Sequence, residues 1–176
     1  MNDPLTVDFA KLWSEAMSFE AFLAASGSHR SLWEGLHGLA RMPGWSKDAT
    51  AGRKLNLLVL AEDWCGDASN TIPFLARWAE ETAEVELRII RRDEHPAVMD
   101  RYLTNGSRSI PIVIVLDERF HELGHWGPRP GELQKWVMEN RTTIPKPELY
   151  PQIRKWYARD MGETTLREIL QIGATL

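Results

Sequence analysis

With 176 residues, 43% of them hydrophobic and 26% charged, the chain has the make-up of an ordinary globular protein that can bury a core without staples. A net charge of −4 argues against a nucleic-acid-binding protein, and no run of about 18 apolar residues offers a membrane span. The only cysteine, Cys65, rules out an internal disulfide, and MNDPLTVDFAKLW shows no secretory signal, so a cytoplasmic setting is expected.

Residues 1–54 read as a helical extension. One bent helix or two short ones are expected from about Thr6 to Ala25, ending near Gly27. In SHRSLWEGLHGLARM, helical spacing puts Leu32, Trp33, Leu36, Leu39 and Ala40 on one apolar face. MPGWSKDATAG reads as a loop, and Trp33 and Trp45 as packing residues.

Residues 55–140 alternate between strand and helix signals. LNLLVLA is a continuous apolar run that suits a buried strand. A helix is predicted from about Cys65 to Thr82, with Ala68, Ile72, Leu75 and Trp78 on one side and Pro73 inside it. EVELRII reads as a second strand, with Arg88, Arg91 and Arg92 as a solvated strand end. A short helix (HPAVMDRYL) and a turn (NGSRS) lead to a third strand, IPIVIVL, and then a fourth, FHELGHW. Prolines follow before a helix from Gly131 to Asn140. Residues 141–176 begin as a proline-punctuated connection, TTIPKPELYP, and continue as helix, with Ile153, Trp156 and Tyr157 on one face. Thr165 and Glu168 have the spacing of a capping box for the last helix. The three stretches are expected to form one compact domain.

Two segments could carry chemistry. HELGH, residues 121–125, matches the His-Glu-x-x-His pattern of zinc peptidases, which needs a helix to bring both imidazoles to one metal. In a strand, His121 and His125 stand about 13 Å apart, too far for zinc bonds of about 2 Å, so no metal site is expected. Cys65 lies where an apolar strand gives way to a helix, and a helix N-terminus favours the thiolate. Glu62, Asp63 and Asp67 oppose that by repulsion, so a reactive cysteine and an inert one half-buried under Trp64 both stand as readings.

Several ordered landmarks resemble the thioredoxin fold. Trp64-Cys65-Gly66 follows the first core strand, Pro73 lies eight residues after the cysteine, and RRDEHPAVMDRYLTNGSRSIPIVIVL is similar to the stretch leading to the family's cis-proline, matched here by Pro111. With WCGDA and the helical extensions, the chain looks like a poorly characterised bacterial thioredoxin-like family. The resemblance implies a central four-stranded mixed α/β sheet flanked by helices, with additional N- and C-terminal helices. It implies Cys65 as the attacking thiol, in a groove formed by Trp64, Gly66, Asp67, Ile110 and Pro111.

The departures bear on function. Ala68 replaces the resolving cysteine, and Val59 stands where thioredoxins carry a buried aspartate, so the dithiol cycle is closed to this chain alone. No Gly-Gly-Asp-like glutathione turn follows the strand after Pro111, and Glu62 replaces the threonine of a peroxiredoxin. Two functions follow from the resemblance: a monothiol thiol-disulfide oxidoreductase whose mixed disulfide is resolved by an external thiol such as glutathione, or a non-redox module binding a peptide or partner protein. No bound cofactor is expected in either; the partner is an unidentified protein or a small thiol or disulfide.

Overall fold

The computed structural model of the chain describes residues 6–174. Its sheet is built on β1 (Leu55–Ala61), which is buried at every position, as the continuous apolar run demands. Alternate side chains of a strand point to opposite faces, so both faces of the sheet are covered here. β1 pairs in parallel with β2 (Val85–Arg91) and antiparallel with β3 (Ile112–Leu116), which pairs antiparallel with β4 (Glu122–Trp126). The order is β2-β1-β3-β4, a mixed four-stranded sheet.

The N-terminal segment forms two short helices, α1 (Phe9–Glu15) and α2 (Phe19–Ala24). Asp8 and Ser18 cap them by accepting the Lys11 and Ala21 amides at 3.0 and 3.1 Å. The break has a tertiary cause: Met17 exchanges hydrogen bonds of 2.9 and 2.8 Å with Ile89 and so covers part of the β2 edge. α3 (Arg30–Leu39) follows and packs along α4 (Gly66–Glu81). The apolar face predicted for α3 is narrower than its spacing suggested. Trp33 and Ala40 are buried, whereas Leu32 and Leu39 are 54% and 65% exposed.

α4 has its predicted apolar side, with Ala68, Ile72, Leu75 and Trp78 all in the core. α5 (Pro96–Met99) leads to an Asn105-Gly106 turn in which both residues take positive φ, closed by Thr104–Ser107 hydrogen bonds of 2.9 and 3.0 Å. Ile110–Pro111 is cis, and so is Gly127–Pro128. At Gly127 a Cβ would stand 2.2 Å from the Pro111 carbonyl, so only glycine lets these two proline loops meet.

α6 (Gly131–Asn140) has the predicted bounds. α7 (Lys146–Asp160) starts inside the stretch predicted as a connection. Pro147 sits in its first turn, where no amide partner is needed, and Pro151 is accommodated within it. The predicted capping box is also corrected. α8 (Glu163–Gly173) starts at Gly162 with φ +79°, and Thr165 is buried inside the helix. Glu168 instead accepts the Gly131 amide at 2.9 Å, capping α6, and the Trp126 indole N–H.

One core cluster joins the sheet to Phe9, Trp13, Phe22 and Trp33 at one end of the chain and to Leu166 and Ile169 at the other. A smaller cluster, including Leu133, Val137, Leu149 and Ile153, holds α6 to α7.

Candidate functional site

The turn from β1 into α4 is fastened on three sides. The Trp33 indole donates to the Asp63 carbonyl at 2.9 Å, so α3 grips the turn from outside. Arg91, at the end of β2, reaches Glu62 at 3.1 Å and Asp63 at 3.6 Å, and the Asp93 amide donates to Glu62 at 3.1 Å. Glu62 is buried, and this pairing is what makes its burial tolerable. Arg88 stacks on Trp13 and donates to its carbonyl, and Arg92 lies 5.0 Å over the Trp64 ring. Arg88, Arg91 and Arg92 are therefore fixed cations of the fold, a correction to their reading as a solvated strand end.

Cys65 occupies the N-cap position of α4, its carbonyl accepting the Ser69 amide at 3.0 Å. Its side chain is 9% exposed, and the thiol donates to the Ile110 carbonyl at 3.5 Å. Burial raises its pKa, with the Asp67 charge acting in the same direction; the Ala68 and Asp67 amides and Arg129 oppose the rise without cancelling it. Of the three acids expected to repel a thiolate, Asp67 does so, whereas Glu62 and Asp63 are taken up by Arg91. Ala68 and Val59 are both fully buried apolar side chains, so neither the resolving position nor the buried-acid position offers a polar group.

The Asp67 carboxylate is gripped by Arg129, with Nε at 2.9 Å and Nη2 at 2.8 Å, and accepts the Tyr157 hydroxyl at 2.8 Å. Arg129 also donates to Gln134 at 2.8 Å. This network ties α4 to the loop before α6 and to α7 beside the cysteine. α7 supplies Tyr150, Ile153 and Arg154 as one wall of a cavity of about 430 Å³ that Trp64, Cys65 and Gly66 complete. Trp64 and Tyr150 are 52% and 47% exposed, which is unusual for side chains of their size.

The structure places Trp64, Cys65, Gly66 and Asp67 on the lining of one cavity. Ile110 and Pro111 lie behind the thiol, buried, and do not line that cavity. Arg129, Tyr150, Ile153, Arg154 and Tyr157 were not anticipated. They lie 60 or more positions beyond Cys65, and nothing in GPRP or LYPQIRKWY distinguishes a site wall from a surface. HELGH lies elsewhere, with Glu122–Trp126 in β4; His121 precedes the strand and meets Asp117 at 3.1 Å. Phe120 takes φ +64° and the His121 amide binds the Asp117 carboxylate, which starts the strand two residues later than predicted. Among the described residues no group of three or more metal-ligating side chains converges.

No curated protein matches the chain. Two solved structures share its fold. A protein of unknown function from Pseudomonas aeruginosa superposes with a TM-score of 0.75 at 22% identity, covering 95% of this chain and 97% of that one. An HIV epitope-scaffold gives 0.73 at 21% identity, covering 94% and 97%. A family profile described as thioredoxin matches residues 16–144, from just after α1 through α6 to the connection before α7. The chain is a member of the thioredoxin family.

Proposed function

We propose that this protein is a thioredoxin-fold binding module, which uses the cavity beside Trp64 and Cys65 to hold a peptide segment of a partner protein. The observation that carries this reading is the state of Cys65: buried, donating its proton to the Ile110 carbonyl, with Ala68 at the resolving position. A thiol so placed is favoured in the protonated form, whereas attack on a disulfide needs the thiolate. Trp64 and Tyr150 offer exposed apolar surface on the two sides of the cavity. In this reading no cofactor is required, and a lone thiol belongs in the reducing cytoplasm.

Monothiol exchange stands as a second reading, favoured by the Ala68 and Asp67 amides and by Arg129, all of which stabilise a Cys65 thiolate. The thiolate would attack one sulfur of a disulfide, forming a mixed disulfide and expelling the other sulfur as thiolate. An external thiol such as glutathione would then restore Cys65 by a second exchange.

Incubation with glutathione disulfide at pH 7.5, followed by intact mass, separates the two. The binding reading predicts unmodified protein, and Cys65→Ser retaining whatever peptide binding the wild type has. A thiol-reversible glutathione adduct on Cys65 would favour exchange instead.

A further inference from the structure

The Cys65 cavity has a neighbour of about 490 Å³ on the other side of the same three side chains, Arg129, Tyr150 and Ile153. The lining of the two hollows carries four cations, Arg129, Arg141, Lys146 and Arg154, against one carboxylate, Asp67, which Arg129 already neutralises. Arg141, Lys146 and Arg154 are exposed and have no carboxylate within ion-pair distance among the described residues. A chain with a net charge of −4 therefore gathers unpaired positive charge along these two adjoining hollows, one of which Cys65 lines.

The cations are spaced by a helix. Lys146, Tyr150 and Arg154 are four residues apart along α7 and so share one face, with the exposed tyrosine between the charges. Eight residues of helix rise about 12 Å at about 1.5 Å each. An extended peptide covers the same distance in about four residues at about 3.3 Å each. Across the second hollow, Thr104, Asn105, Ser107 and Ser109 present short polar side chains suited to bonding a peptide backbone.

We infer that the groove takes an extended acidic peptide, with carboxylates about four residues apart seated on Lys146 and Arg154 and an apolar side chain between them held by Tyr150 and Trp64. This rests on the binding reading and names its ligand class. Peptide is favoured over nucleic acid because the cations form a local patch on an otherwise acidic protein, not a stripe that could track a polyanion.

The test is selection of random ten-residue peptides on the full-length protein, with fluorescence anisotropy on the enriched sequences. Lys146→Glu/Arg154→Glu serves as the charge-reversed variant and Trp64→Ala as the apolar one. The expected result is enrichment of Asp or Glu at four-residue spacing, binding weakened at least tenfold by the double reversal, and weakening by added salt. Circular dichroism and melting temperature should be unchanged by the reversal, since both positions are exposed. Neutral peptides that bind wild type and double reversal alike but are lost with Trp64→Ala would overturn the charge inference and leave the binding reading standing. Failure to enrich any peptide overturns both. Tighter binding of a short oligonucleotide or of polyphosphate than of any acidic peptide overturns the assignment to peptide.

Discussion

Tyr157 and Tyr102 show how individual side chains commit the fold to a pH range. Burial raises the Tyr157 hydroxyl above its ordinary value, and the Asp67 charge adds to it; for Tyr102 burial and Glu122 do the same. A folded pKa above the unfolded value of about 10 means the native state keeps a proton that the unfolded chain releases. The stabilisation is whole below about pH 10 and is lost as pH rises beyond it. Cys65 has the same sign from about pH 8.5 upward. The melting temperature should therefore fall progressively above about pH 9. In Tyr157→Phe the fall above pH 10 should be shallower, because one of the three groups is gone. That variant should also lose roughly 1.5–3 kcal/mol at pH 7, the range for a hydrogen bond to a charged group, as read from urea denaturation. The sequence made Cys65, Trp64 and Asp67 legible because they are adjacent in the chain. It could not show the Asp67–Arg129–Tyr157 network, whose members are separated by 62 and 90 positions.

At the level of elements, the strands and α4 were readable because burial imposes an apolar pattern on them. α7 was read too short because its prolines resemble loop punctuation, although the first turn of a helix accepts proline. Glu168 looked like a local cap and proved to be a tertiary one, bonding Gly131 of α6 and Trp126 of β4. Glu168→Ala should cost roughly 1–3 kcal/mol, chiefly by leaving the indole N–H of buried Trp126 without its acceptor, measured by chemical denaturation. The junction of α7 and α8 depends on Gly162, where φ is +79° and a Cβ would lie 2.8 Å from Phe74. Gly162→Ala should destabilise by more than about 1 kcal/mol. If α7 is a wall of the site, Ile153→Ala should quicken alkylation of Cys65 several-fold at pH 8 while the far-ultraviolet spectrum stays native. An unchanged rate would mean that α7 does not shield the thiol.

Across the whole molecule, the helices at both ends share the core of the sheet, so fluorescence and circular dichroism should report one coincident unfolding transition. The extensions also shape the site: α3 braces the turn that holds Cys65, and α7 walls the cavity beside it. Cys65 sits buried at the start of α4, in a setting that raises its pKa. The most direct test is the rate of Cys65 alkylation by iodoacetamide as a function of pH. Slow modification is expected, with an inflection above the free-cysteine value of about 8.5. Rapid modification with an inflection well below that value would contradict it and restore Cys65 as a nucleophile.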